Sequence, residues 1–410
     1  MVRHPPGVTE GQPDQAEALT PEQARRLLSD EGRAAVALAE RLDLAPTARV
    51  GAAEAVRHLG PLGPLALEQA LLRVRARAKH PQGHRLWWTA EAFEQATSYA
   101  VALHRAARFA GSARVLDLGC SVGGDLLELA RVAPVLGVDL DEARLLLAQA
   151  NAAALGRSAP LVRADVATFV PPPGSDVFAD PARRGGRGRR FDPRDWSPPL
   201  DLVLSWPGLR SLAVKVAPGI DFDALPEHLE VELVSLGGDV KEAVLWAGQA
   251  RRGARRTATL LPAGDTLTDE LAPAPAVHPP GRYLLEPDGA VIRAHLVAQV
   301  SQRVGGWLLD ASIAYVAADV ATPTPFGTWY EVLEHLPFSL KPLKERLRAH
   351  DAGPLVVKKR GTAVEPELLR RQLKLTGNRE VTVVLTRSAG RKIALIVRRV
   401  SGAGTGPAPS

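Results

Sequence analysis

The hydrophobic rhythm of the chain changes near residue 113. Before it, apolar residues recur at three- and four-residue spacings, the period of helices packed on one face. Thr20-Pro21-Glu22-Gln23 reads as a helix start, with a Thr cap, Pro at the first helical position and Gln at the third. Helical patterns run to about Lys79, with breaks near Pro46 and Gly60-Pro61, and one further helix is predicted from Thr89 to about Phe109. From Ala113, short β-branched runs alternate with Leu/Ala-rich segments, which predicts βα units and a parallel sheet. The predicted strands are Arg114–Leu118, Val135–Leu140, Pro160–Ala164, Asp176–Ala179 and Leu212–Val216. Two more, Glu230–Leu236 and Val240–Ala247, flank the hairpin signal Gly237-Gly238-Asp239, and Thr257–Leu261 is placed to extend the sheet.

Leu267–Pro280 is rich in Pro and Ala and reads as a linker. Beyond it a small α+β pattern, with Asp288 as a helix cap, precedes a strand, helix, strand, strand succession: Leu355–Lys358, Pro366–Leu375, Val381–Thr386 and Ile393–Val397. The expected division is a helical region over 20–95, an α/β domain over 96–266, an α+β unit over 281–335 and a basic unit over 336–400. Disordered tails are expected at 1–19 and 401–410. No internal repeat is evident.

Composition narrows the class. The 410 residues are 46% hydrophobic, enough for more than one core. No apolar run approaches the roughly 18–20 residues of a membrane span. Met1–Thr20 lacks an apolar h-region, so no secretory signal is expected. One cysteine excludes an internal disulfide and a cysteine-based zinc site, and the ten histidines show no metal-ligand spacing; no metal is expected, and a reducing cytoplasm fits. The net charge of +6 hides an asymmetry. Lys341–Val400 holds sixteen Lys and Arg against five Asp and Glu, a balance of +11, which leaves the rest of the chain at −5. A near-neutral body with a basic end suggests a polyanionic partner, against the plainer reading of solvated surface.

Candidate chemistry begins at Val115-Leu116-Asp117-Leu118-Gly119-Cys120-Ser121-Val122-Gly123-Gly124-Asp125. A buried strand runs here into a glycine-rich turn and a helix, where backbone can approach a ligand closely and the helix start favours negative charge. Asp117 precedes the turn, Asp139 ends the second strand and Asp165 the third. These acids suit an ammonium, a pair of ribose hydroxyls and an adenine amino group; ordinary helix capping is the competing reading for Asp139 and Asp165. A nicotinamide dinucleotide is the nearest alternative ligand. Asp117 would repel its pyrophosphate, the spacing is not G-x-G-x-x-G, and the terminal hairpin is the wrong continuation.

Asp117, Gly119, Cys120, Gly123, Asp139 and Asp165 together resemble the cofactor motifs of class I S-adenosylmethionine (SAM)-dependent methyltransferases. Ala179-Asp180-Pro181-Ala182-Arg183-Arg184, with Val357-Lys358-Lys359-Arg360-Gly361, resembles the bacterial subfamily that carries a C-terminal THUMP-like domain. The resemblance implies a Rossmann-like seven-stranded sheet, an N-terminal helical region and C-terminal α+β, THUMP-like units. It implies SAM as cofactor and, because THUMP domains of related enzymes contact RNA, a tRNA or rRNA substrate. Ser121 departs from the family by standing where many relatives have glycine.

Asp180-Pro181 ends the fourth strand, where nucleobase N-methyltransferases carry an acid-Pro-Pro-aromatic motif that accepts from the target amine. Here Ala182 and Arg183 replace the second Pro and the aromatic ring; Phe191 or Trp196 is a candidate substitute. Lys215 resembles the lysine of 2′-O-methyltransferases, which act through Lys-Asp-Lys-Glu; Lys79 and Glu232 or Glu242 are the remaining candidates. Nitrogen is the expected acceptor and a ribose oxygen the second. Cys120, the sole cysteine, reads as a packing residue, which excludes C5-pyrimidine chemistry by cysteine attack and a three-cysteine radical cluster. Arg183–Arg190, with five arginines and three glycines, suits a phosphate chain, as do Arg183, Arg184, Lys358, Lys359 and Arg360 individually, with Arg370, Arg371 and Lys374 on the same predicted basic face. Trp87-Trp88 is expected to pack in the core. A methyltransferase of protein or small molecules, and a non-catalytic SAM-binding RNA-binding protein, are the alternatives in function. Oligomeric state is not legible.

Overall fold

A computed structural model describes residues 18–183, 196–222 and 224–400. The tail expected before residue 18, the Arg184–Arg190 stretch, Phe191 and the tail from 401 lie outside the described residues.

Helices α1 (Pro21–Leu28), α2 (Asp30–Ala39), α3 (Arg49–Ala55), α4 (Leu62–Ala76), α5 (Ala90–Gln95) and α6 (Tyr99–Ala106) form the N-terminal region. The capping box at Thr20 forms as expected: its hydroxyl accepts from Gln23 N at 3.2 Å and its own N–H donates to Gln23 Oε1 at 2.8 Å. Leu27, Val36, Ala70 and Leu72 pack in one core with the buried pair Trp87 and Trp88, and with Val122 and Leu147 of the next domain. The single helix expected from Thr89 to Phe109 is two helices. The Lys79 ammonium binds the carbonyls of Phe93, Glu94 (3.1 Å) and Ala96 (3.3 Å), closing α5, and Ala96 turns to an extended ψ of 132°. That break exposes Thr97 to the interior cavity described below.

The α/β domain comprises β1 (Val115–Leu118), β2 (Val135–Asp139), β3 (Leu161–Arg163), β4 (Asp176–Ala179), the short pair β5 (Ala182–Arg183) and β6 (Trp196–Ser197), then β7 (Ser211–Val216), β8 (Glu230–Leu236), β9 (Asp239–Gly248), β10 (Arg256–Leu261) and β11 (Asp265–Thr268). Between them lie α7 (Leu126–Val132), α8 (Glu142–Ala154) and α9 (Leu200–Ser205). The sheet order is β11-β10-β8-β9-β7-β4-β1-β2-β3. β3, β2, β1, β4 and β7 are parallel; β9 inserts antiparallel between β7 and β8. The expected seven strands are all present, and β10, parallel to β8, and β11 extend the edge to nine. The expected domain end at 266 therefore falls inside β11, because Leu267 is buried against Ala258 and is not linker.

The C-terminal part contains β12 (Tyr283–Pro287), α10 (Gly289–Arg293), α11 (Val297–Val304), β13 (Trp307–Leu308), β14 (Val316–Ala318), β15 (Gly327–Pro337), α12 (Leu340–Ala349), β16 (Ala352–Lys359), α13 (Pro366–Leu373), β17 (Arg379–Ser388) and β18 (Arg391–Arg399). The two units expected to meet at 335/336 are one seven-stranded sheet, ordered β13-β14-β12-β15-β18-β17-β16. The division is corrected because β15 spans it, pairing with β12 through its first half and β18 through its second. The sheet also coils. Lys358 on β16 reaches Glu286 on β12 at 2.7 Å, although four strand spacings on a flat sheet would separate them by roughly 19 Å. Asp288 caps α10 through Ala290 N at 2.7 Å, and Ala290 and Val291 bury against the nine-stranded sheet in a core shared with Leu233 and Ala258.

Candidate active site

A cavity of about 600 Å³ opens at the C-terminal ends of β1, β2, β4 and β7, where open α/β sheets bind ligands. Asp117, Gly119, Cys120, Asp139, Asp165, Asp180, Pro181 and Lys215 all line it. Gly123 does not; it sits in the same turn at φ 95°, and a side chain there would meet Ala148, Leu126 and Leu127 at 3.7 Å. Gly119 is required by both conformation and space: φ is 89°, and an added Cβ would lie 3.1 Å from the Asp180 carbonyl. Ser121 keeps the left-handed path of the glycine it replaces, at φ 49°. Its N–H donates to Asp139 Oδ2 at 2.8 Å, and Asp141 N donates to Oδ1 at 2.9 Å, which fixes the Asp139 carboxylate at the tip of β2. Asp165 is exposed and accepts from Ala167 N at 2.9 Å, which closes a turn; no helix follows it before β4 for the competing capping reading.

Asp117 is the anomaly of the cavity. It is 1% exposed, and neither carboxylate oxygen has a protein partner. Burial, with Asp125 and Asp180 nearby, pushes its carboxyl well above the usual carboxylate range. A buried, unpartnered acid costs folding free energy and is expected where a cationic ligand completes the site. The Ser121 hydroxyl is likewise buried and unpartnered.

At the other wall, Asp180 Oδ2 accepts from Lys215 Nζ at 2.8 Å. Lys215 also donates to Thr97 Oγ1 at 3.1 Å, and Thr97 donates to Asp125 Oδ2 at 3.0 Å. Arg105, fully buried over the Phe178 ring, binds Asp125 and grips Glu242 with two bonds of 2.5 Å. Burial would lower the Lys215 ammonium, but the carboxylates of Asp180, Asp125 and Glu242 outweigh it and raise its pKa. Lys215 is therefore a charged donor, not a base awaiting a proton.

Comparison with known proteins decides the family. The chain is 42% identical over 343 residues to an uncharacterised S-adenosylmethionine-dependent methyltransferase of Mycobacterium tuberculosis strain CDC 1551, and equally to its counterpart in strain H37Rv. Each alignment covers 80% of this chain and 94% of the relative. This chain belongs to the SAM-dependent methyltransferases. Residues 327–399 match the THUMP domain-like family. A methyltransferase structure from Porphyromonas gingivalis W83 shares the fold at a TM-score of 0.67 and 21% identity, over 93% of this chain and 95% of that one.

The methyltransferase's cavity fits SAM chemically. Asp117 offers a naked carboxylate for an ammonium, Asp139 a fixed acceptor pair for hydroxyls, and the Gly119–Gly124 turn a close backbone. Cys120 lines the cavity 4% exposed, and burial pushes its thiol well above its ordinary pKa, as a packing residue requires.

Other expectations are redistributed. Trp196 pairs across from Arg183 on β5 and β6, and so returns to the Asp180 corner and lines the cavity. Arg183 is placed only as backbone, and Arg184 lies outside the described residues. Lys79 is spent on the α5 carbonyls, and Glu232 is buried under Arg108, His104, Trp246 and Thr259; neither lines the cavity, whereas Glu242 does. Lys358, Lys359 and Arg360 do not line it either. Each has an acidic neighbour: Glu286 holds Lys358 at 2.7 Å and Arg360 at 3.5 Å, and Glu365 holds Lys359 at 2.8 Å. Glu286 lies on β12, distant in sequence, whereas Glu365 is only six residues beyond Lys359. Thr97, Arg105 and Asp125 were missed; a Thr in a helical run and an Arg on its apolar face carried the only signal. Among the described residues no helix is long and apolar enough to cross a membrane, and no group of three His, Cys, Asp or Glu is placed for a metal.

Proposed function

We propose that this methyltransferase modifies RNA, tRNA or rRNA in the cytoplasm, at a nucleobase nitrogen. The observation that carries the reading is that one cavity joins Asp117 and Asp139 at one side to Asp180, Pro181 and Lys215 at the other. Bound SAM supplies an electrophilic methyl group. Asp117, Asp139 and Asp165, with the Gly119–Gly123 turn, hold the cofactor; Cys120 packs beneath it. Asp180 and the Pro181 carbonyl accept from the target amine and align its lone pair, a positioning role that needs no strong base. Lys215, charged and paired, balances Asp180 and orders that corner. Trp196 supplies the planar wall missing from the acid-Pro-Ala-Arg motif. The THUMP-like match over residues 327–399 and the basic balance of the C-terminal region favour RNA over protein or small-molecule acceptors.

A ribose oxygen is the second reading, favoured by the Lys215–Asp180 pair and by Glu242 in the cavity wall. A hydroxyl needs a proton acceptor, and the raised Lys215 pKa counts against that role. The test is mass spectrometry of modified nucleosides from tRNA and rRNA of wild-type and deletion strains. Loss of one base-methylated nucleoside is expected; loss of a 2′-O-methylated nucleoside supports the second reading, and no change refutes an RNA substrate.

A further inference from the structure

The cavity is acidic inside. Asp117, Asp125, Asp139, Asp165, Asp180 and Glu242 line it, and Lys215 is the cation that faces them from its depth. A phosphate is repelled from such a space, so an RNA acceptor must present its base inward and keep its backbone at the mouth. The mouth has cations of its own. Lys241 lines the cavity on β9, exposed, with one weak partner, Asp239 at 3.2 Å, itself 73% exposed. Arg293 is the last residue of α10, exposed, and makes a long 3.4 Å contact with the carbonyl of Pro218, a cavity-lining residue. The elements that carry them meet, since α10 starts against β9: a side chain added at Gly289 would lie 2.6 Å from Val240, the residue before Lys241. Arg144, the other cation of the lining, is committed to Glu91 at 2.6 Å and Asp141 at 3.3 Å.

We propose that Lys241 and Arg293 form a phosphate clamp at the cavity mouth, holding the backbone beside the nucleotide whose base enters. One cation comes from the catalytic sheet and the other from the C-terminal unit, so the clamp also gives α10 a role in acceptor binding. This rests on the reading that the acceptor is RNA. It differs from the expectation for Lys358–Arg360, three cations that share the two carboxylates of Glu286 and Glu365.

The test uses the full chain with S-adenosylhomocysteine bound. Binding of total tRNA and of total rRNA is measured across a KCl series for wild type, Lys241→Gln, Arg293→Gln and the double variant, with Arg49→Gln on α3 as an exposed control. Each lost phosphate contact is expected to lower the slope of log K against log salt by roughly 0.7–0.9, and to weaken binding about sixfold at 0.1 M salt. The double variant should lose both contacts, and the control neither. Unchanged slope and affinity in the double variant overturn the clamp while leaving the RNA reading intact. A wild type that binds neither RNA overturns both. A weakening equal to that of Arg49→Gln shows only general attraction and overturns the clamp. Melting temperatures verify that the exposed substitutions leave the fold unchanged.

Discussion

Asp117 makes cofactor affinity depend on pH in a direction the structure fixes. Its carboxyl is buried, has no protein partner and faces the charges of Asp125 and Asp180, all of which favour the protonated form. A cationic ligand group needs the carboxylate. Below the raised pKa, binding must therefore release a proton, and affinity rises tenfold per pH unit, about 1.4 kcal/mol, until that pKa is passed. Asp117→Asn removes the linkage and one charge-assisted contact of about 1.5–3 kcal/mol, a loss of roughly 10- to 150-fold in affinity on the plateau. The same substitution should stabilise the free protein. A carboxyl whose folded pKa is raised binds more protons folded than unfolded, so it costs stability as pH rises above the ordinary value of 3.8, and asparagine escapes that cost. Titration calorimetry of SAM from just above pH 4 upward to pH 8, in two buffers of different ionisation enthalpy, counts the protons; thermal melts of the free protein give the stability. Wild-type binding that is flat with pH and releases no proton, or an asparagine variant that binds as tightly, refutes the reasoning.

Other outcomes follow from the same geometry. Asp180→Asn and Lys215→Met should each cut methyl transfer at least a hundredfold while changing SAM affinity by less than about threefold, read by single-turnover transfer and calorimetry. Thr97→Val should lower transfer about tenfold with an unchanged melting temperature, and Thr97→Ser should restore it, because only the hydroxyl links Lys215 to Asp125. Arg105→Met leaves Asp125 and Glu242 buried without their cation and should cost about 3–5 kcal/mol in denaturant unfolding. Truncation after Leu336 removes β16, β17 and β18 from β15 and opens the core around Val384 and Leu395; dye binding and lowered solubility should show a damaged fold, not a clean loss of one function.

Periodicity and turn chemistry carry information that is local, and what they carried was the βα rhythm, the hairpin at Gly237-Gly238, the Thr20 box and the Asp117–Gly124 turn. Asp117, Asp139 and Asp180 were legible because strand ends in an α/β sheet converge, so acids spaced one βα unit apart share a rim. The candidate cofactor site is thus written almost entirely in one stretch of sequence. The helix break at Ala96 was not, since Lys79, seventeen residues upstream, makes it. Nor were Thr97 and Arg105, and only the packing of α6 against β9 separates Glu242, which lines the cavity, from the equally eligible Glu232, which does not. Charge was the least legible quantity. Lys358, Lys359 and Arg360 read as an open basic face, yet a coiled sheet places Glu286 against two of them, while Lys241, ordinary in sequence, lines the cavity and Arg293 touches its wall at Pro218. The family, the sheet and the acids that line the cavity were legible along the chain, because those depend on neighbours in sequence. Only the tertiary structure decided which cations are neutralised and which remain available, because a Coulomb partner is set by distance in space and not by separation in sequence.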